Sequence, residues 1–248
     1  MLKNIGAGLY YGESNVRFYG VGIQTRMSVV SLPDGGVLVI SPLILTEELK
    51  SGLDLIGPVR HIASPNKIHN QGLTSFAEAY PEAQLWASPG LAERRPDIRF
   101  TGTLDDTPHP DWAQVLDQLV TQGNLFFSEV VFYHGGSKTL IVADLVENIT
   151  DETIRSCLGR HVAKAMQIFG RPLPSPEFRM YTFDADAAGA RLDEIGAWDF
   201  QRILMAHGAV ITEDAHGVLR DVRDFLTAEV VARSAHRAAL YRFLASQQ

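Results

Sequence analysis

Two pairs of β-rich runs constrain the fold of this chain more than any other feature of its sequence. The runs RMSVVSL and GVLVISPL are joined by Pro33-Asp34-Gly35-Gly36, which is a strong turn signal. The runs GNLFFSEVVFYH and SKTLIVADL flank Gly135-Gly136, and a Gly-Gly pair between two apolar β-runs predicts a second hairpin. The chain should therefore form β-structure in two separate places.

The remaining segments alternate between helical and extended patterns. Between the hairpins, Leu45 to Pro96 predicts helix, strand, helix, strand and a short helix, with Thr46 as the N-cap of the first. After the second hairpin come a helical stretch, a proline-rich link from Gly170 to Phe178, a helix, the strand RILMAH and a long amphipathic helix. This order predicts a two-sheet sandwich with helices outside, which is an α+β fold. We predict one domain over residues 1–248, with a helical and proline-rich insertion around 150–195.

Composition argues against several classes of function. The net charge is −7 and no cluster of lysine and arginine stands out, so nucleic acid and anionic membranes are not expected partners. A single cysteine, Cys157, excludes an intrachain disulfide and suits a reducing compartment, and its helical context predicts a buried side chain. No signal peptide or membrane-length apolar run is present, so we expect a soluble, cytoplasmic protein.

Familiar catalytic and nucleotide-binding motifs are missing from the sequence. GAGLYYG is not expected to follow a strand or precede a helix, and HGGSKTL lacks the Gly-Lys pair and upstream glycine of a P-loop. No Gly-x-Ser-x-Gly elbow supports serine hydrolase chemistry, and one cysteine cannot make a Cys-x-x-Cys zinc motif.

Three metal-capable residues share one context at the ends of predicted strands. His69 follows the strand VRHIAS, Asp144 ends TLIVAD, and His207 ends RILMAH. Strand ends at one edge of a sheet are where layered α/β proteins gather ligands. Two imidazoles and a carboxylate from separate segments can hold a divalent metal, although each residue alone is more simply a solvated strand-end residue.

Four segments, in order and at similar spacing, carry a resemblance that covers nearly the whole chain. They are RMSVVSLPDGGVLVISPL, VRHIASPNKIHNQGL, SEVVFYHGGSKTLIVADLVEN and RILMAHGAVITEDAHGVLRDVRDFL. The chain resembles a divergent member of the metallo-β-lactamase superfamily, and more narrowly the DUF4336 family. The second segment falls where the superfamily carries T-H-x-H-x-D-H-x-G. The resemblance implies a four-layer αββα sandwich.

The same resemblance implies a reduced metal centre. Laying His69 on the last histidine of the motif puts Ser64 and Asn66 on its first two histidines and Ile68 on its aspartate. Glu129 lies near the place of the superfamily's central histidine. One metal site therefore loses its nitrogen ligands, whereas the other keeps three residues: His69, Asp144 as the bridging aspartate, and His207.

We therefore predict a metal-dependent hydrolase with at most one divalent ion, Zn, Fe or Mn, held by His69, Asp144 and His207. Asp144 would also orient a metal-bound water, and Glu129 or Asn66 would hydrogen-bond that water or complete the shell. A non-catalytic ligand-binding or scaffold protein without metal is the alternative. A two-histidine, one-carboxylate set also suits Fe(II) and oxygen chemistry. We expect a small-molecule partner and make no prediction of the oligomeric state.

Overall fold

Two β-sheets form the centre of the molecule. The computed structural model describes residues 1–18, 21–154 and 157–245, and within them one sheet has seven strands and the other four. The larger sheet contains, in spatial order, β1 (Lys3–Gly6), β2 (Leu9–Phe18), β3 (Val21–Ser31), β4 (Val37–Ile40), β5 (Val59–Ala63), β6 (Gln84–Ala87) and β7 (Gly102–Thr103). Its first four strands pair antiparallel and β4 to β7 pair parallel.

The smaller sheet has the order β11-β10-β9-β8. Its strands are β8 (Leu116–Val120), β9 (Val130–His134), β10 (Thr139–Ile141) and β11 (Arg202–Leu204). The strands β8, β9 and β10 pair antiparallel, whereas β10 and β11 are parallel. Both predicted hairpins, β3–β4 and β9–β10, are therefore present.

Helices cover the outer face of each sheet. They are α1 (Glu47–Asp54), α2 (Leu73–Ala79), α3 (Leu91–Arg94), α4 (Cys157–Ala165), α5 (Pro176–Tyr181), α6 (Ala185–Gly196) and α7 (Ala215–Ala245). Thr46 is the N-cap of the first helix, as predicted, and its hydroxyl accepts the Leu49 N–H at 3.2 Å. No helix within the described residues is long and apolar enough to cross a membrane.

Three apolar clusters separate the four layers, and strand β4 shows how one run of residues feeds two of them. Val37 and Val39 pack with α1 and α2 outside the larger sheet, whereas Leu38 and Ile40 point between the sheets. The alternation of side chains along a strand explains why the whole run VLVI is apolar and buried.

The other two clusters complete the sandwich. Between the sheets, Leu38 and Ile40 meet Phe132 of β9 and Ile141 of β10. On the far side of the smaller sheet, helices α5, α6 and α7 bury an apolar face that includes Phe178, Leu192, Leu219, Val222 and Leu226. The predicted α+β, four-layer αββα fold is therefore confirmed. The prediction of one domain with an insertion around 150–195 stays a prediction, and the structure places α5 and α6 over the smaller sheet.

Three local expectations were wrong. Cys157 is exposed, because the buried positions of α4 are Gly159 and Ala163 and Cys157 lies on another face. A strand, β1, does precede GAGLYYG, but another strand follows it, so the dinucleotide motif still lacks its helix. The predicted run GNLFFSEVVFYH becomes strand only at Val130.

The late start of β9 has a local cause. The side-chain oxygen of Asn124 accepts the N–H groups of Phe126 and Phe127 and bends the chain, which leaves Leu125 exposed. An extended strand would need these N–H groups for pairing with a neighbour, so the side chain competes with the sheet.

Replacing Phe132 by alanine tests the layer between the two sheets. This side chain is fully buried, and we expect Phe132→Ala to lower the free energy of unfolding by about 3–5 kcal/mol, since it leaves a cavity that both sheets border. The measurement is denaturant unfolding. Leu55→Ala is the control, because Leu55 is 89% exposed and its truncation should change stability by less than about 0.5 kcal/mol. Equal losses in the two variants would contradict the layer assignment.

Candidate metal site

Three loops that follow strands meet at one end of the sandwich. His69 lies in the loop after β5, Asp144 in the loop after β10, and His207 in the loop after β11. Because β10 and β11 are parallel neighbours, their following loops leave the same edge of the smaller sheet. The larger sheet supplies the third loop across the sandwich.

The three side chains face one another. One ligand atom from each of His69, Asp144 and His207 lies within 4.8 Å of the others. His69 Nε2 is 3.2 Å from Asp144 Oδ2, and His207 Nε2 is 4.0 Å from Asp144 Oδ1. The imidazole ring centroids are 5.1 Å apart. Within the described residues, this is the one group of three or more His, Cys, Asp or Glu side chains placed to hold a metal.

The far nitrogen of each imidazole is tied to the larger sheet. His207 Nδ1 is 2.9 Å from the Gln24 carbonyl oxygen in β3, and His69 Nδ1 is 2.7 Å from the Ser41 hydroxyl just after β4. A carbonyl can only accept, so His207 carries a proton on Nδ1 and its neutral ring presents a lone pair on Nε2. Such second contacts orient histidines that bind metals.

The electrostatics of the cluster favour one charged and one neutral imidazole. Burial would lower the pKa of His69, but the Asp144 carboxylate, with Glu129 behind it, raises that pKa above its ordinary value. Burial and the nearby His69 lower the pKa of His207 to about 4. Burial would raise the pKa of Asp144, but the two histidines and Asn66 hold it below the usual range.

Asn66 joins the loops that carry His69 and Asp144. Its side-chain oxygen accepts the N–H groups of Ile68 and His69, both at 3.0 Å, and so folds the loop that presents the histidine. Its amide nitrogen donates to Asp144 Oδ2 at 2.6 Å and to Glu129 Oε2 at 3.0 Å. The amide NH2 thus bridges two buried carboxylates.

Glu129 holds the loop of Asp144 from behind. Its carboxylate accepts the backbone N–H groups of Ala143 at 2.8 Å, Asp144 at 2.7 Å and Leu145 at 3.4 Å. The side chain is fully buried, and burial together with the charge of Asp144 raises its pKa to about 7 against these hydrogen bonds. Glu129 and Asn66 do not line the cavity, and their role at a metal-bound water stays a prediction.

The residues at the ligand positions of the implied second metal site form contacts within the protein. The hydroxyl of Ser64 lies within hydrogen-bond distance of the carbonyl oxygens of His69 and Asn66, at 2.7 and 2.9 Å. Ile68, where the superfamily carries an aspartate, packs against the apolar cluster of the smaller sheet and borders the cavity. Ser64, Ile68, Asn66 and Glu129 therefore offer no imidazole to a second ion.

A buried arginine fixes the loop that carries His207. Arg26 Nη1 donates to the Met205 carbonyl at 2.6 Å, and Nη2 donates to the Gly208 carbonyl at 3.0 Å. Glu13 balances its charge at 2.7 Å. Gly208 has φ +94°, and a Cβ there would lie 2.1 Å from the Asn148 carbonyl oxygen, so the residue after His207 must be glycine.

The cluster opens into a cavity of about 130 Å³, which is room for several waters or a small ligand group. The sequence interpretation missed Ser41, the Gln24 carbonyl, Arg26 and the cavity residue Glu147. Ser41 had one signal, since it directly follows the buried run VLVI at the end of β4. A backbone carbonyl such as that of Gln24 carries no signal in a sequence.

Comparison with known proteins identifies the family of the chain. The profile of DUF4336, a domain of unknown function, matches residues 9–169. The chain belongs to the DUF4336 family. No curated protein matches the chain in sequence.

Solved structures show which fold this DUF4336 protein shares. A metallo-β-lactamase from Pontibacter korlensis superposes with a TM-score of 0.64 at 14% identity, covering 91% of this chain and 98% of the other. A metallo-β-lactamase from Hirschia baltica superposes with a TM-score of 0.63 at 10% identity, covering 92% of this chain and 97% of the other. A metallo-β-lactamase from Erythrobacter litoralis superposes with a TM-score of 0.63 at 14% identity, covering 90% of this chain and 95% of the other. The protein is a divergent metallo-β-lactamase-fold member, and identities this low establish the fold alone.

Changing Asn66 to aspartate tests the network behind the site. Asn66→Asp replaces the bridging NH2 with a third buried carboxyl group between Glu129 and Asp144, so we expect it to lower the free energy of unfolding by about 3 kcal/mol or more. The measurement is denaturant unfolding of metal-free protein.

Asn70→Asp, in the same loop, is the matched control. Asn70 Oδ1 accepts from Arg95 Nη1 at 2.8 Å, and Asn70 Nδ2 donates to the Lys67 carbonyl at 2.7 Å. An aspartate there gains a charged partner and loses one hydrogen bond to the backbone, so we expect a change within about 1 kcal/mol. Equal effects of the two substitutions would show that Asn66 does not bridge the carboxylates.

Proposed function

We propose that the protein is a metal-dependent hydrolase with a mononuclear centre held by His69, Asp144 and His207. The observation that carries the proposal is the convergence of these three side chains on one point at the wall of a cavity. Three protein ligands leave coordination positions for water and substrate, as a catalytic site requires.

The residues present fit a divalent transition metal. The donor set is two imidazole nitrogens and one carboxylate, which suits zinc, iron or manganese better than magnesium or calcium. The carbonyl of Gln24 and the hydroxyl of Ser41 orient the two rings with Nε2 toward Asp144. A divalent ion bound there would supply a hydroxide near neutral pH and would polarise the oxygen of an ester, amide or phosphoester.

The other residues around the cluster either hold Asp144 in position or form the apolar wall of the cavity. Asn66 and Glu129 fix the position of the Asp144 carboxylate without reaching the cavity, so we assign them as positioning residues. Leu43, Ile44 and Ile68 give the cavity an apolar side that limits water around a bound ligand.

A non-catalytic ligand-binding protein is the second candidate function. The observation in its favour is that Ser64, Asn66 and Glu129 direct their polar atoms to neighbouring protein groups. A chain that has lost one metal site in this way could retain the cavity for binding alone.

Metal content tests the ligand set directly. We expect one tightly bound divalent ion per chain in protein purified without chelator, and loss of most of that metal in His207→Ala and His69→Ala, because two ligands cannot close around the ion. The measurement is elemental analysis by mass spectrometry. His161→Ala is the control, since His161 is exposed on α4 and should keep the metal.

Two other results would overturn the assignment. Two ions per chain would mean that Ser64, Asn66 and Glu129 form a real first site. One ion that persists in both His207→Ala and His69→Ala would place the metal elsewhere.

Activity separates the hydrolase from the binding protein. We expect metal-loaded protein to hydrolyse at least one of three chromogenic reporters, an acetate ester, an anilide and a phosphodiester. Asp144→Asn should lower kcat/KM by about 100-fold or more, because it removes a charged ligand. If loaded protein cleaves none of the three reporters, the non-catalytic candidate is favoured.

A further inference from the structure

Glu147 is a buried carboxyl group that the proposed metal site does not use. It lies shortly after Asp144, is only 7% exposed and borders the same cavity as His69 and His207. Its Oε2 is buried and has no hydrogen-bond partner. Buried polar groups in proteins almost always find partners, and leaving one unpaired costs roughly 1–3 kcal/mol. An exception at the wall of a cavity indicates a partner that comes from outside the chain.

A second, apolar cavity adjoins the first at this residue. Its apolar walls include Ile154, Val162, Met166 and Ile168. Glu147 lines both cavities, as do Ile23 and Glu177. A single ligand could therefore place a polar group at Glu147 and a short apolar group among the side chains around α4.

We propose that Glu147 anchors a ligand subsite beside the metal-ligating cluster, and that this subsite takes the protonated amino group of a ligand whose short alkyl part enters the second cavity. If the protein is the proposed hydrolase, its substrates are amine-bearing esters or amides, and this part of the inference rests on that proposed function. As a statement about binding, the inference needs neither metal nor hydrolysis.

The charges of the cavity support a cationic rather than an anionic ligand. Asp144, Glu147 and Glu177 all border the larger cavity, and of these Asp144 is paired with His69. Burial together with the carboxylates of Asp144, Glu177 and Glu129 raises the pKa of Glu147 well above its usual range. An ammonium group beside Glu147 would favour the ionised form of this carboxyl group and provide the N–H donor that Oε2 lacks, whereas a carboxylate ligand would add to the repulsion.

The test uses three probes of equal chain length and different charge: n-butylammonium, n-butanol and butyrate. Binding to full-length, chelator-treated protein is measured by ligand-observed NMR titration. We expect n-butylammonium to bind best, n-butanol more weakly and butyrate not at all. Glu147→Gln keeps the size of the side chain and should weaken n-butylammonium binding by about tenfold or more while leaving n-butanol little changed.

Glu82→Gln is the control for loss of one negative charge, since Glu82 is exposed and borders neither cavity. Equal n-butylammonium affinity in wild type and Glu147→Gln would overturn the proposal, and so would preferred binding of butyrate or absence of n-butylammonium binding. If Glu147→Gln fails to fold, the ranking of the three probes on wild type decides the matter. Because the protein is metal-free, the result is independent of whether loaded protein hydrolyses anything.

Discussion

The candidate site depends on one buried contact, the pair of hydrogen bonds from the Asn66 amide to Asp144 and Glu129. Two carboxylates buried side by side repel each other strongly, and here a neutral NH2 group lies between them. The same asparagine turns the chain at Ile68 and His69 through its oxygen. One side chain therefore aligns the loop after β5 in the larger sheet with the loop after β10 in the smaller sheet, and the distance between His69 and Asp144 follows from that alignment.

The same contact lies in the region where the resemblance implies the loss of one metal site. The resemblance places Ser64, Asn66 and Glu129 at or near the positions of three metal-binding histidines, and in this DUF4336 protein all three form hydrogen bonds within the chain. The Glu129 carboxylate accepts three hydrogen bonds from backbone N–H groups in the loop of Asp144. A histidine could not accept all three, because a neutral imidazole has one acceptor nitrogen. The loop around Asp144 is thus held by a carboxylate within the protein.

The sequence predicts the fold well where elements are long and apolar. Strand β4 alternates between two cores, so its apolar run and the turn before it identify the hairpin. The strand ends also place His69, Asp144 and His207 in similar contexts, from which a meeting point can be proposed. The start of β9 could not be predicted, because the Asn124 side chain diverts a run that is β-rich by composition. The anchors of the imidazoles, the Gln24 carbonyl and the Ser41 hydroxyl, could not be predicted either, since they depend on how two distant strands are registered.

Two buried glutamates differ in whether the protein satisfies their hydrogen bonds. Glu129 and Glu147 are both buried, and burial raises the pKa of both. Glu129 accepts four hydrogen bonds from Asn66 and the loop of Asp144, so the protein satisfies it internally. Glu147 Oε2 has no partner and borders a cavity. A chain gains no stability by keeping such a carboxyl group, so an apolar residue of similar size would serve the fold at least as well. The difference between the two residues is therefore what supports the proposal of a ligand subsite beside His69, Asp144 and His207, whether or not a ligand bound there is then hydrolysed.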